Sequence, residues 1–189
     1  AEAGAAAVSV LTEPERFGGS IRDLREVARG VPIPVLRKDF IVAPVQLHEA
    51  RANGASAALL IARALSMPAL PELIEAGTEI GLDLLVEVRD AVELKRALDA
   101  GATIIGVNNR NLETLVIDPG TVERILPLIP RHVVAIAESG MTSRDDVQRA
   151  AGAGADAVLI GSAVSAAEDA GALVGLLTDV AVERDARSN

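Results

Sequence analysis

The sequence contains no cysteine, no tryptophan and no tyrosine, and it has only two phenylalanines and two histidines. Without cysteine there is no disulfide framework, no thiolate nucleophile and no cysteine-based metal site. The histidines, His48 and His132, share no spacing typical of metal ligands. The hydrophobic core is therefore expected to consist of alanine, valine, leucine and isoleucine.

Basic charge is also scarce, since 18 lysines and arginines stand against 27 acidic residues and the formal net charge is −9. A broad basic face that binds nucleic-acid phosphates is not expected at this charge. No apolar run is long enough to span a bilayer, and the N-terminus lacks the pattern of a signal peptide. The default expectation is a soluble cytoplasmic protein with neither nucleic-acid nor membrane partners.

Four segments of the chain repeat one pattern, in which a helix-like stretch ends in a Gly-Ala pair and continues into a short apolar strand. The segments are residues 1–11, 50–61, 98–107 and 150–160. Their glycines stand where the residue after a helix takes a positive φ, which glycine does without steric cost. The strands are continuous apolar runs, a pattern typical of parallel strands buried on both faces.

The remaining segments complete a strand–helix alternation of seven units. Further strands are predicted at residues 34–38, 83–88 and 133–138, and helices at residues 20–28, 44–53, 67–80, 90–100, 143–153 and 170–187. Asp90 and Ser143 are predicted N-caps, and the charged end of the last helix, through Arg187, is expected to be solvated. Such alternation predicts right-handed crossovers and a parallel sheet.

Two architectures fit this alternation, an open doubly wound sheet and an eight-stranded (β/α) barrel. No G-x-G-x-x-G motif follows the first strand, which weakens the dinucleotide-binding version. Residues 1–4 look like the last turn of a helix whose body is absent. We therefore expect an α/β fold, a (β/α)8 TIM barrel represented by units two to eight, in which residues 1–189 form one N-terminally incomplete domain. Its open strand edges are expected to permit self-association.

Polar residues follow nearly every predicted strand, and the carboxyl ends of barrel strands are where active sites lie. Lys38, Glu87, Asn108 and Glu138 are expected to form an acid–base set, with Lys38 as general acid, electrostatic anchor or amine nucleophile. A structural ion pair across the barrel is the alternative. The small residues that follow the last two strands fit a phosphate site: Gly140, Gly161 and Ser162.

Five segments, in order, resemble the indole-3-glycerol-phosphate synthase family of tryptophan biosynthesis. They are VPIPVLRKDFIV, LLVEV, IIGVNNRNLETL, AIAESGM and VLIGSA, and the resemblance runs from about Val8 to Ala163. The resemblance implies a (β/α)8 barrel and a carbon–carbon lyase that needs no metal or organic cofactor. Its implied reaction closes the indole ring of 1-(2-carboxyphenylamino)-1-deoxyribulose 5-phosphate and releases CO2 and water. The family's first-strand segment, which carries a glutamate, a lysine and a Ser-Pro-Ser run, is not in this sequence.

The same resemblance implies a role for each matching residue. Lys38 would be the general acid at the substrate ketone, Glu87 would stabilise developing positive charge, and Asn108 with Arg110 would orient catalytic groups and substrate. The substrate ring would contact four residues: Glu138, Ser139, Phe40 and Leu60. Gly140, Gly161 and Ser162 would hold the phosphate.

Two other functions are compatible with the pattern of residues. One is another sugar-phosphate barrel enzyme, either an isomerase or an aldolase that forms a Schiff base on Lys38. The other is an inactive barrel fragment that binds phosphorylated ligands without turnover. Borohydride trapping and phosphate-analogue titration, respectively, would test them.

Overall fold

The computed structural model describes residues 1–181 and 186–187, and seven parallel strands form its centre. They are β1 (Val8–Leu11), β2 (Val35–Lys38), β3 (Ala57–Ile61), β4 (Asp83–Val88), β5 (Ile104–Asn108), β6 (Val134–Glu138) and β7 (Ala157–Leu159). Each strand pairs in parallel with the next along the chain, so spatial order equals sequence order. This order and the intervening helices confirm the predicted repeat of a (β/α) barrel.

Nine α-helices connect the strands or follow them within the described residues. They are α1 (Pro14–Phe17), α2 (Ile21–Gly30), α3 (Pro44–Ala52), α4 (Ala69–Glu79), α5 (Ala91–Asp99), α6 (Gly120–Ile125), α7 (Arg144–Gly152), α8 (Ser162–Ala166) and α9 (Ala170–Thr178). Two short 3-10 helices, Ala62–Ala64 and Leu126–Leu128, follow β3 and α6. Across the described part of the chain, no helix combines the length and apolar character needed to cross a membrane.

Local sequence signals set the ends of these elements. The side chains of Asp90 and Ser143 accept backbone N–H groups in the first turns of α5 and α7, as their N-cap positions predict. The repeated glycines, Gly4, Gly54, Gly101 and Gly154, have φ values between 85° and 101°. An L-residue rarely adopts that backbone conformation, so glycine at the last three positions lets α3, α5 and α7 turn into the strands that follow them, whereas no helix precedes Gly4 among the described residues.

Alternation along the strands divides the core into two layers. The larger cluster lies between the sheet and the helices and includes Leu60, Val86 and Ile105. The smaller cluster lies on the other, concave face and includes Leu36, Leu59, Ile61 and Leu85. Adjacent strand residues therefore face different layers, which decides which strand-end side chains can meet.

The C-terminal segment differs from its prediction. Helix α9 ends at Thr178, and Glu183, Arg184 and Asp185 of the predicted helical tail lie outside the described residues. Arg187 was expected to be solvated, yet it is 2% exposed. Its guanidinium donates to Asp156 Oδ2 at 2.8 Å and to the carbonyl of Val133 at 2.7 Å. Burial is tolerated because the charge is paired and hydrogen-bonded.

The two edge strands, β1 and β7, border an apolar groove of about 470 Å³. Ala7, Val8 and Ser9 contribute one wall and Val158 and Leu159 the other. Among the described residues, β1 pairs only with β2 and β7 only with β6. The sheet therefore carries two backbone edges beside an apolar surface.

Candidate active site

Four of the predicted site residues lie at the carboxyl ends of β2, β4, β5 and β6. Asn108 is the register partner of Glu138, and Glu87 is the register partner of Gly106 on the same face. Lys38 shares its strand face with Leu36, which belongs to the concave cluster. The strands therefore direct all four polar side chains to one end of the concave face.

Lys38 connects the two carboxylates of this set. Its Nζ lies 3.4 Å from Oε2 of Glu138 and 3.6 Å from Oε2 of Glu87. The lysine side chain is 26% exposed, whereas the side chains of Glu138 and Glu87 are 1% and 5% exposed. One cation thus faces solvent while two carboxyl groups lie buried behind it, an arrangement that can move protons between protein and ligand.

The Glu138 carboxyl group is the most perturbed titratable group of this site. Its burial, together with repulsion from Glu87, raises the pKa of Glu138 to about 7, although the charge of Lys38 acts in the opposite direction. The Oε1 atom of Glu138 is buried and has no hydrogen-bond partner. Since buried polar atoms are nearly always paired, the missing partner of this oxygen is an unusual feature of the site.

The Lys38 ammonium is held in its charged form. Burial alone would lower the pKa of Lys38, but the carboxylates of Glu138 and Glu87 reverse this effect and raise the pKa above its usual value. Lys38 is therefore protonated at neutral pH. A charged ammonium can donate a proton, but it is not a nucleophile.

The loop after β5 orients the amide side chains. The Oδ1 atom of Asn108 accepts the backbone N–H of Arg110 at 2.9 Å, which fixes the direction of the Asn108 amide. The neighbouring Asn109 is 4% exposed and faces the helices. It donates to the carbonyl of Ser139 at 3.0 Å and accepts the N–H of Val122 at 3.0 Å. Asn109, which sequence reasoning did not single out, thereby couples the loops after β5 and β6.

The small residues after β6 adopt an unusual backbone conformation. Ser139 and Gly140 have φ values of 65° and 77°. Ser139 is an L-residue in the left-handed region, a conformation that costs free energy and is concentrated at functional sites. A Cβ on Gly140 would lie 2.7 Å from Cγ2 of Ile117, so close packing also requires glycine there.

Gly161 and Ser162, which follow β7, are exposed. Gly161 has no positive φ, and a Cβ at this position would meet no atom within 4 Å. A tight turn therefore does not explain this glycine, whereas both a turn and packing explain Gly140. Neither packing nor backbone conformation therefore requires glycine at position 161.

An aromatic pair borders the same end of the sheet. Phe40, after β2, packs against the concave cluster and stacks on Phe17 with ring centroids 6.5 Å apart and an interplanar angle of 26°. Phe17 lies in α1, is 54% exposed and was missed by sequence reasoning. The scarcity of aromatic residues was the available signal, since these are the two phenylalanines of the chain.

Leu60 does not belong to this site. It is fully buried in the cluster between the sheet and the helices, on the opposite face of β3 from Leu59 and Ile61. The expected apolar contact to a ligand is therefore corrected, because the side chain points away from Phe40. Ile61, the register partner of Glu87, occupies the concave face instead.

Thr12 and Asp39 also follow strands, yet they lie on the helix-facing side with Arg37. Arg63, after β3, pairs with Glu93 at 2.6 Å. Within residues 1–181 and 186–187, no group of three or more His, Asp or Glu side chains could hold a metal ion. The side chains of Lys38, Glu87 and Glu138 can support proton transfer and charge stabilisation.

Comparison with known proteins adds evolutionary information to this geometry. The sequence model of the family "Indole-3-glycerol phosphate synthase" matches residues 1–177. The chain is 57% identical over 166 residues to "Indole-3-glycerol phosphate synthase 1" of Streptomyces coelicolor, covering 88% of this chain and 62% of that protein. It is 55% identical over 162 residues to the indole-3-glycerol phosphate synthase of a Parafrankia species, covering 86% and 60%, respectively. The chain thus spans less than two thirds of the length of these relatives.

Solved structures support the fold independently. The structure described as "Native KDPGal structure" has a TM-score of 0.65 at 16% identity and covers 94% of this chain and 82% of that one. The BexX/CysO complex of Amycolatopsis orientalis gives a TM-score of 0.66 at 18% identity, covering 93% and 77%. These distant similarities concern the fold alone. From the extent of the family match and the identities above 50%, the chain belongs to the indole-3-glycerol phosphate synthase family.

Proposed function

We propose that this chain carries the catalytic centre of an indole-3-glycerol phosphate synthase. The reaction closes the indole ring of 1-(2-carboxyphenylamino)-1-deoxyribulose 5-phosphate and releases CO2 and water, without a metal or organic cofactor. One observation carries the proposal: Lys38 lies between the buried carboxyl groups of Glu87 and Glu138, at the end of the sheet where barrel enzymes bind substrates.

In this proposal Lys38 is the general acid. The ring carbon that bears the substrate carboxylate attacks the ketone carbon, and Lys38 donates a proton to the ketone oxygen. The bond to the carboxylate then breaks and CO2 leaves. The hydroxyl formed from the ketone departs as water after it receives a second proton, and the methylene carbon beside the nitrogen loses a proton, which completes the double bond of the indole ring. The raised pKa of Lys38 supports this role, because the acid must be protonated at neutral pH.

The carboxyl groups would stabilise the positive charge that develops on the substrate nitrogen and ring. Glu87 is buried beside Lys38 and would stabilise this charge electrostatically. Glu138, with its pKa raised to about 7 by burial, would accept and return a proton near neutral pH.

The remaining residues would bind the two ends of the substrate. Phe40 and Phe17 offer an aromatic surface for the substrate ring, and Asn108, Arg110 and Ser139 would orient it. The phosphate is assigned to Gly140, Gly161 and Ser162. The bare surroundings of Gly161 support this assignment, since neither packing nor backbone conformation requires glycine there.

A Schiff-base aldolase is a weaker candidate. Its lysine must lose a proton before it attacks a carbonyl, and burial among apolar groups is the usual way to lower the pKa of such a lysine. In this chain the two carboxylates outweigh burial and raise the pKa of Lys38. Borohydride treatment in the presence of sugar phosphates is expected to trap no adduct on Lys38, and a stable adduct would contradict the synthase assignment.

Partners and location follow from the same proposal. The substrate is a phosphorylated small molecule, and we place the enzyme in the cytoplasm with residues 1–189 acting as one domain. The edges of β1 and β7 are expected to support self-association, because each of these strands has one edge without a paired strand among the described residues and lies beside an apolar groove. Such edges can pair with strands of another chain. Size-exclusion chromatography over a range of concentrations tests this expectation.

The catalytic test uses the only two lysines of the sequence, Lys38 and Lys95. The chain has no tryptophan or tyrosine, so indole fluorescence reports product directly. Assays compare the 189-residue chain with a form extended upstream by a first βα unit from the Streptomyces coelicolor relative. In whichever form turns over, Lys38→Met is expected to reduce kcat by roughly 10²-fold or more.

Lys95→Met is the matched control. Lys95 is 75% exposed and pairs with Asp99 on the surface of α5, so its removal should leave turnover unchanged. Equal activities of the two variants would overturn the role of Lys38. Failure of both the chain and its extended form to make a fluorescent indole product would overturn the proposed function itself.

A further inference from the structure

Arg37 is a buried arginine in a position where an apolar residue would be expected. It is 4% exposed and belongs to β2, directly before Lys38. Because adjacent strand residues face opposite sides, Lys38 points to the concave face while Arg37 points toward the helices. Burial of a guanidinium is costly unless all its donors are paired.

The donors of Arg37 reach four residues on the two sides of its own strand. Its Nη2 lies 2.9 Å from Oδ2 of Asp39, and its Nε lies 3.0 Å from Oγ1 of Thr12 at the end of β1. Its Nη1 is 2.8 Å from both the carbonyl of Gln46 and Oε2 of Glu49, in α3. The guanidinium therefore ties the end of β2 to the neighbouring strand and to the following helix.

The partners of Arg37 also hold the backbone on both sides of Lys38. Asp39 accepts the hydroxyl of Thr12 at 2.6 Å and the N–H of Phe40 at 2.8 Å. Gln46 donates its side-chain amide to the carbonyl of Phe40 at 3.1 Å. Thr12 donates its backbone N–H to the carbonyl of Lys38 at 3.1 Å. The segment from Lys38 to Phe40 is thus fixed from the face opposite to the reacting groups.

Stability alone does not account for this choice of residues. Buried ion pairs are frequently no more stabilising than apolar residues of similar volume, because removing both charges from water offsets their attraction. What a hydrogen-bonded guanidinium supplies is a defined geometry, since its donors are planar and rigidly arranged. A defined geometry matters at this strand end because the next side chain must meet two carboxyl groups.

We propose that Arg37 is a positioning residue that sets the location of the Lys38 ammonium between Glu87 and Glu138, acting through Asp39, Thr12 and α3. The proposal rests on the proposed function for its kinetic consequence, but its structural consequence can be measured without turnover. Displacement of about 1 Å at a catalytic group is enough to reduce rates by about 10²-fold.

The experiment replaces Arg37 by methionine and observes the lysine side chains by NMR. With two lysines in the sequence, labelled lysine gives two side-chain signals, and exposed Lys95 is the internal reference. In the wild type, the signal of Lys38 is expected to titrate at higher pH than an ordinary lysine. In Arg37→Met the titration midpoint of Lys38 is expected to fall, as the ammonium leaves its carboxylates.

The direction in which the Lys38 titration midpoint changes distinguishes displacement of the ammonium from a purely electrostatic effect of the lost charge. Removing the positive charge of Arg37 without any displacement would favour the charged form of Lys38 and raise its titration midpoint. A downward movement therefore reports displacement. Where turnover is measurable, kcat is expected to fall tenfold or more with KM nearly unchanged, because Lys38 acts in the transition state.

Arg187→Met is the matched control. Arg187 is equally buried and pairs with Asp156 at the start of β7, at the opposite end of the sheet. This variant is expected to lose stability without moving the Lys38 signal. The proposal is overturned if Arg37→Met folds and leaves both the Lys38 titration and kcat as in the wild type, or if Arg187→Met moves the Lys38 signal equally.

A milder variant, Thr12→Val, decides the question if Arg37→Met does not fold. It keeps the shape and the charges of the network and removes the hydrogen bonds of the Thr12 hydroxyl. It is expected to lower the Lys38 titration midpoint, and an unchanged midpoint would overturn the proposal. Absence of synthase activity in both the chain and its extended form would contradict the proposed function, while the NMR measurement would still decide the role of Arg37.

Discussion

The carboxyl group of Glu138 fills the space beside Gly106, where a side chain would otherwise stand. A Cβ on Gly106 would lie 2.0 Å from Oε1 of Glu138, far inside van der Waals contact. Gly106 is also the register partner of Glu87. The interior of such a sheet is usually filled by branched apolar side chains, so this glycine makes room for a buried acid.

The first prediction concerns Gly106→Ala. The added methyl group must displace the Glu138 carboxyl group or shift β5, and overpacking of this kind costs about 1–3 kcal/mol of unfolding free energy. Urea denaturation measures this loss. Gly152→Ala in α7 is the control, because a Cβ there meets no atom within 4 Å. Adding Glu138→Ala to Gly106→Ala should recover most of the loss, and strict additivity of the two changes would argue against the steric conflict.

The second prediction is a pH dependence of stability at Glu138. Because burial raises the folded-state pKa of Glu138 to about 7, the folded protein binds more protons than the unfolded chain between the ordinary pKa of glutamate and pH 7. The stabilisation by protonated Glu138 is fully present below the ordinary pKa of glutamate and is lost as pH rises through about 7. Relative to Glu138→Gln, the wild type should lose up to about 3 kcal/mol across this interval.

Urea denaturation at several pH values from about 4 to 8 measures this difference. Glu72→Gln on the exposed surface of α4 is the control and should follow the wild type at every pH. A constant difference between the wild type and Glu138→Gln over the whole interval would contradict a raised pKa for the buried carboxyl group.

The third prediction tests the aromatic surface. Phe17→Ala should leave stability almost unchanged, because the ring is 54% exposed, but it should weaken binding of an aromatic substrate. Loss of an aromatic contact worth about 1 kcal/mol raises KM roughly fivefold with kcat unchanged. Val92→Ala, at an exposed position of α5, is the control for loss of surface apolar area. A fall in kcat at constant KM would assign Phe17 to the chemical step instead.

The fourth prediction concerns Asp146 in the first turn of α7. Burial would raise the pKa of Asp146, but N–H groups of Thr142 and Ser143 and their hydroxyls lower it to about 2. The stabilisation is therefore present above the ordinary pKa of aspartate and is lost as pH falls toward 2. Asp146→Ala should cost about 1 kcal/mol near neutral pH, and the difference from the wild type should shrink near pH 3 in urea denaturation.

The exposed Asp145 provides the comparison for this helix start. Asp145→Ala removes a charge from the same turn without removing the hydrogen bonds of the capping box, which joins Ser143 and Asp146. If Asp145→Ala lowered the free energy of unfolding as much as Asp146→Ala, the effect would come from the helix dipole and not from the hydrogen bonds of Asp146.

The order of the fold could be predicted from the sequence because each repeat carries its own boundary signal. The glycine after a helix and the apolar run that follows it are local features, so they were readable at all four repeats. The same rule predicted that Lys38 and Glu138 would meet, although 100 residues separate them. Parallel strands bring their carboxyl ends to one side of a sheet regardless of distance along the chain.

The side of the sheet on which each strand residue places its side chain could not be predicted in the same way. Strands buried on both sides are continuous apolar runs in the sequence. They lack the polar–apolar alternation that would show which residues face the concave side of the sheet. Leu60 was assigned to the site by resemblance, and no alternation in its strand showed that it packs under the helices. Arg187 was misread for another reason, since its partner Asp156 is 31 residues away and no local pattern marks the pair.

The position of the two sheet edges has a consequence for how the molecule opens. Lys38, Glu87 and Glu138 stand on β2, β4 and β6, and each of these strands has a hydrogen-bonded neighbour on both sides. Gly161 and Ser162 follow β7, an edge strand of three residues. Amide protons of the inner strands should therefore exchange with solvent only in large openings, whereas those of β7 exchange through local fraying. The residues after β7 that are assigned to the phosphate are therefore expected to open before the proton-transfer centre.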